Sequence, residues 1–357
     1  MASPDDCHRF QILSLSGGGV RGLYTVTILA ELEQHLAEQS KNPDYRISQH
    51  FDLIAGTSIG GILALGLASG MKARDLRDLL DNERLTIFPR PVLRNIFSVI
   101  RYLRSLRLPF TSRYSANPLK KILTEVFKDQ TIGDLHTPVI IPAVNATTGM
   151  VQMFKTPHHP DFKQDWKNKL VDVALATSAA PTYFPAHVFN DCIYVDGGLV
   201  ANSPALAAIH EAGQFFNVKD MKSSVAVLQI GTMGAQMTLA PKASWLTPWF
   251  SEGYITRWGS GSQLIELTLS SNETLHNHVA GHIIAPDNFV ILDEKPTQHQ
   301  SSAISLDNAS DRSANILTGR AKEKVKWNLN NQNLLAFFEH SAAKSVFHYG
   351  SQSNQNY

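Results

Sequence analysis

Ser58 stands at the centre of Gly56-Thr57-Ser58-Ile59-Gly60, between an apolar strand, Phe51-Asp52-Leu53-Ile54-Ala55, and an apolar helical run from Ile59 to Ser69-Gly70. A serine on so sharp a strand-to-helix turn is placed as a nucleophile. Glycines two residues either side are needed because a side chain there would collide with the closely approaching strand and helix. The turn also sets Ser58 at the positive end of the helix dipole, where developing negative charge is stabilised. Taken alone the pentapeptide is equally a plain turn, since Gly, Ser and Thr are common turn formers.

A second glycine cluster, Ser16-Gly17-Gly18-Gly19-Val20-Arg21-Gly22, follows the apolar run Phe10–Leu15. Leu23, Val26, Leu29, Leu32 and Leu36 then recur at the period of one helical face. Strand, glycine turn and helix together present unblocked backbone N–H groups, an anion site. One candidate anion is a dinucleotide pyrophosphate, because Gly17-x-Gly19-x-x-Gly22 fits the nucleotide-binding pattern. That pattern requires an acid closing the next strand, yet Glu31, Glu33 and Glu38 all fall inside or at the end of the helix. The other anion is the oxyanion of a tetrahedral acyl intermediate. It fits better, because the Ser58 elbow ends the next strand of the same sheet.

A serine nucleophile needs a base. Ile193-Tyr194-Val195 reads as a strand running into Asp196-Gly197-Gly198, and the C-terminal ends of strands are where α/β proteins place their chemistry. In isolation Asp-Gly-Gly is an ordinary turn.

Gly-Gly-Gly-x-Arg-Gly, Gly-x-Ser-x-Gly and Asp-Gly-Gly in this order, with Ala176-Thr177-Ser178-Ala179-Ala180-Pro181-Thr182-Tyr183-Phe184-Pro185 before the aspartate, resemble the patatin-like phospholipase family over about residues 10–235. The resemblance implies an α/β fold, a three-layer α/β/α sandwich with a mostly parallel central sheet. It also implies a Ser-Asp dyad without histidine, with Ser58 as nucleophile and Asp196 as base. Gly17, Gly18 and Gly19 would then form the oxyanion hole with Arg21 beside it, and Gly22, Gly56, Gly60, Gly197 and Gly198 would shape the turns. An ordinary aspartate is a poor base for a hydroxyl, so the dyad calls for a carboxyl raised by burial. Among the fourteen histidines, His136, His158, His159 and His187 are the candidates for a triad partner, and no spacing singles one out. Neighbouring His158 and His159 point apart on an extended chain, so no metal site is expected; the reaction needs no metal or organic cofactor.

With 357 residues, 43% of them hydrophobic, the chain can bury a large core. The expected division is a catalytic domain at 10–235, an extension at 236–350 packed on it, and a frayed tail at 351–357. A net charge of +1 argues against nucleic-acid polymers. Cys7 and Cys192 cannot make a disulfide framework, and Met1–Asp6 lacks the regions of a signal peptide, so a cytoplasmic location is expected. Such an enzyme must reach a phospholipid membrane from solution. Nine Lys and Arg, and no acid, lie between Arg84 and Lys121, where Val92, Leu93, Ile96, Phe97, Ile100 and Leu103 form an apolar face with Arg94 and Arg101 on its flank. Trp245, Trp249, Phe250, Tyr254 and Trp258 suit an interface, a homo-oligomer contact or a base-stacking pocket. Packing against the core accounts equally well for either segment.

As a whole, the chain looks most like the bacterial antiphage phospholipase effectors that a cyclic oligonucleotide switches on. That resemblance implies a cyclic dinucleotide activator and peripheral contact with the inner membrane, with no activator-binding residue named. An ungated lysophospholipase or esterase, and a binding protein that has lost the chemistry, are the alternatives.

Overall fold

The computed structural model describes residues 9–89, 112–234, 261–301 and 303–353. The apolar face at 92–103 and the tryptophan segment at 245–258 lie outside these residues, as does Cys7.

Strands β1 (Phe10–Leu15), β2 (Leu53–Gly56), β3 (Val139–Asn145), β4 (Met150–Lys155), β5 (His187–Phe189), β6 (Cys192–Asp196), β7 (Val225–Ile230) and β8 (Phe289–Leu292) form one sheet in the order β5-β6-β3-β2-β1-β7-β8, with β4 on β3. The β3-β2-β1-β7-β8 stretch is parallel, while β4 and β6 run antiparallel to β3. The longer helices are α1 (Gly22–Ser40), α2 (Ile59–Ala68), α3 (Ala73–Ile87), α4 (Asn117–Phe127), α5 (Leu170–Thr177), α6 (Ala205–Phe215), α7 (Ser262–Ile283) and α8 (Asp311–Asn328).

Both β1 and β7 are buried along their whole length, so both read as largely apolar runs, and the polar Gln11, Ser14 and Gln229 within them are buried as well. Successive side chains point to opposite faces and divide the core in two. Leu13, Leu15, Ile54 and Leu228 pack against α1, α2, α3, α4, α5 and α8. Ile12, Leu53, Val225 and Val227 pack against Ala208, Ile209 and Ala212 of α6 and Ala280 of α7. These are the three layers expected.

His187–Phe189 forms a strand through its pairing with β6, a tertiary contact without a local signal. The polar stretch 294–313 holds a helical turn at Gln298–Ser301 and the start of α8, whose first turn is capped by Ser310 accepting the Ser313 N–H at 3.2 Å. The polar residues there are partly a helix start. The tail is tied down where fraying was expected to begin, since the Ser351 hydroxyl donates to Asp134 at 2.6 Å.

Candidate active site

The turn after β2 places Ser58 at φ 55° and ψ −124°, a conformation rare for a residue with a side chain and one that stores strain. The surroundings hold it there. The Ser58 N–H donates to the Thr177 hydroxyl at 3.0 Å, which itself donates to the Pro142 carbonyl at 2.6 Å. The Thr57 hydroxyl donates to the Ala201 carbonyl at 2.6 Å.

Asp196 arrives from the opposite direction. One whole edge of β3 is taken by β4, so β2 and β6 share the other: Ala55 lies opposite Ile140 and Asp196 opposite Ala143. The two strands therefore approach end to end, and the Ser58 hydroxyl donates to Asp196 Oδ2 at 2.7 Å. Asp196 ends its strand, as the sequence predicts; that strand is antiparallel to β3, and the carboxyl reaches Ser58 because β6 stops where β2 does. Pro142 sits in the gap between the two strands, where neither strand pairs with it. A proline inside a strand is tolerated where no ladder bond is required of its nitrogen.

Asp196 is buried, and burial pushes its carboxyl up to about 6 from an ordinary 3.8, opposed by hydrogen bonds from the Gly198 N–H (2.7 Å) and Ser58.

The glycine loop lies beside this pair. The Gly17 N–H donates to the Asn202 carbonyl at 3.0 Å, so it is engaged and not free for an oxyanion, a correction to the expected trio. The Gly18 and Gly19 N–H groups have no acceptor among the described residues, and both residues line the pocket with Ser58 and Asp196. Gly19 has φ 58°, and a side chain there would meet the Leu306 carbonyl, which accepts the Val20 N–H at 2.9 Å. Arg21 is buried behind the loop, its charge acting on the carboxyls of Glu273 and Asp293.

The pocket walls are apolar: Ile59 and Ile62 of α2, Leu80 and Ile87 of α3, Leu119 of α4, and Phe88 and Phe184. Phe88, Tyr114 and Phe184 form one aromatic cluster with centroids 5.3 to 5.9 Å apart.

Among the described residues no histidine lines the pocket. His187 bonds to Asp172 at 3.0 Å, and His158 is buried against Glu211 and stacked on Phe216. His159 packs on Phe162 and Phe215, and His136 lies beside Gly70. The dinucleotide alternative also loses its acid. Glu33 is buried, accepting the Ile47 and Ala73 N–H groups, while Glu31 pairs with Arg77 and Glu38 with Gln34.

A nucleophile elbow on a doubly covered, mostly parallel sheet, with a buried aspartate as its direct partner, defines a serine hydrolase of the patatin class. The sequence profile of the family described as Patatin-like phospholipase matches residues 13–209, and the chain belongs to that family, whose members hydrolyse lipid esters. It is 40% identical over 93% of its length to a cGAMP-activated phospholipase of Escherichia coli, covering 94% of that protein. A cGAMP-activated phospholipase of Vibrio cholerae is 41% identical, with 94% of this chain and 96% of that protein covered. One from Pseudomonas aeruginosa is 39% identical, with 97% and 96% covered. Among the described residues no helix is long and apolar enough to cross a membrane.

Proposed function

We propose that this chain hydrolyses acyl esters of membrane phospholipids through Ser58 and Asp196, and that a cyclic dinucleotide of the cGAMP kind switches it on in antiphage defence. The observation that carries the chemistry is the 2.7 Å bond from the Ser58 hydroxyl to a buried carboxylate within apolar walls. Asp196 takes the Ser58 proton as Oγ attacks the ester carbonyl. The Gly18 and Gly19 N–H groups stabilise the oxyanion, and the proton passes to the departing alcohol. Asp196 then activates a water that releases the fatty acid.

Two features support the gate. The likeness to the cGAMP-activated enzymes spans nearly the whole chain, well past the residues matched by the family profile. The pocket beside Ser58 encloses about 60 Å³, room for a few waters. Ligand pockets usually run to roughly 300–1,000 Å³, so the space beside Ser58 is small for an acyl chain. The enzyme works from the cytoplasm at the inner membrane surface, and the residues from 236 to 350 complete the catalytic domain's sheet and pocket through β8, Leu269 and Leu306.

Fatty-acid release from mixed phospholipid vesicles, measured for wild type and Ser58→Ala with and without a panel of cyclic di- and trinucleotides, tests both halves. Ser58-dependent release that requires cGAMP is the expected result. Release without any nucleotide refutes the gate, and its absence under every condition refutes the substrate.

The raised carboxyl sets a pH dependence. A base works only when deprotonated, so kcat/KM falls as pH drops through the folded-state value, giving an acid limb near about 6 where an ordinary aspartate would place it near 3.8. A pH–rate profile on a soluble ester checks this, and a flat profile down to pH 4.5 contradicts it.

A further inference from the structure

Glu273 on α7 is a buried acid that the proposed reaction does not use. Its Oε1 accepts the Ser16 hydroxyl at 2.6 Å, and its Oε2 accepts the Asn202 side-chain amide at 2.7 Å. Ser16 is the first residue of the glycine loop, and its hydroxyl also accepts from Gln229 Nε2 at 2.8 Å. Asn202 grips Gly17 at both ends of its peptide: its carbonyl accepts the Gly17 N–H at 3.0 Å, and its side-chain amide donates to the Gly17 carbonyl at 3.3 Å. One carboxyl thus ties the loop that carries Gly18 and Gly19 to the segment that follows Asp196. The neighbouring Asn272 holds that segment from the same helix, accepting the Asn202 N–H at 2.9 Å and donating to the Gly198 carbonyl at 2.6 Å.

Such an arrangement is costly. Burial raises the Glu273 carboxyl, opposed by its bonds to Ser16 and Asn202 and by the charge of Arg21. Removing an acid from water and fixing Ser16 and Asn202 around it adds little stability over an apolar side chain of the same size; what it supplies is geometry. Oxyanion donors need that geometry, because their contribution depends on being preorganised where charge develops.

We propose that Glu273 is a positioning residue that sets the Gly18 and Gly19 donors relative to Ser58 by clamping Ser16 to Asn202. This rests on the acyl-hydrolase reading of the site. It assigns a catalytic duty to α7, which lies beyond residues 13–209 and bears no recognised motif.

The test uses the full chain with cGAMP present and p-nitrophenyl butyrate as a soluble ester, comparing Glu273→Met, which keeps the volume, with Glu273→Gln, which keeps a donor and an acceptor. Misplacing the donors in Glu273→Met lowers kcat by about a hundredfold with KM unchanged, and Glu273→Gln recovers most of the loss. Thermal melts of both variants show whether the fold is retained. Three results overturn the proposal: wild-type kcat in Glu273→Met, a loss confined to KM, or a Glu273→Gln variant as impaired as Glu273→Met. If wild type shows no Ser58-dependent turnover, the acyl-hydrolase reading itself fails and the positioning role falls with it.

Discussion

Ser58→Ala and Asp196→Asn each extinguish ester hydrolysis while leaving the protein folded. Losing the nucleophile lowers kcat by about 10⁶-fold, the scale found when a hydrolase serine is removed, so residual turnover is near background. Asn at 196 keeps the shape and can still bond to the Ser58 hydroxyl and the Gly198 N–H, but it takes no proton. The stability side has a definite sign. The Asp196 carboxyl is raised in the folded state, so its stabilising effect is complete below about pH 3.8 and is lost as pH rises through about 6. At neutral pH the buried charge costs stability, and Asp196→Asn removes that cost. The variant's melting temperature at pH 7 therefore equals or exceeds that of wild type, while its turnover is gone. Near-wild-type turnover in Asp196→Asn would require another base and refute the dyad.

Gly60→Ala destabilises the fold and abolishes the activity. A Cβ on Gly60 runs into the backbone carbonyls of Leu15 and Ser16 at the end of β1, and no flexible side chain is available to yield. The elbow can accommodate it only if α2 moves off the sheet, costing about 3 kcal/mol or more and displacing Ser58. Gly319→Ala in α8 is the matched control. Nothing lies within 4 Å of its added methyl, and alanine there stabilises the helix by about 0.5–1 kcal/mol. Paired melts should separate the two in opposite directions. A Gly60→Ala protein that melts like wild type would show that the elbow is looser than the close backbone approach implies.

The contrast between these glycines bears on what the sequence can reveal. The elbow and the glycine loop were legible because turn chemistry is local: residue type, spacing and flanking apolar runs are all contained in a few consecutive positions. That Asp196 ends a strand was legible locally, but that this strand runs antiparallel to β3, and so meets β2 end to end, was not. Strand direction depends on partners far along the chain. The three loop glycines looked equivalent as donors, and only the path of Asn202 past Gly17 distinguishes them. Glu273 carried no signal at all. Flanked by Ser271, Asn272 and Thr274, it reads as a solvated helix face, and its burial comes from the loop and strand ends that converge on it. His158, His159 and His187 show the reverse, each held by a side-chain contact invisible in the linear order.

The end-to-end meeting of β2 and β6 on β3 has a further implication. Ser58 and Asp196 are 138 positions apart in the chain, and their spacing is set by a count along a third strand, Ile140 for one and Ala143 for the other. β3 acts as a ruler. A single residue inserted between those marks would part the nucleophile from its base by about 3.3 Å even in an intact sheet, so the reactive pair reports on the register of a strand that contributes no reacting group.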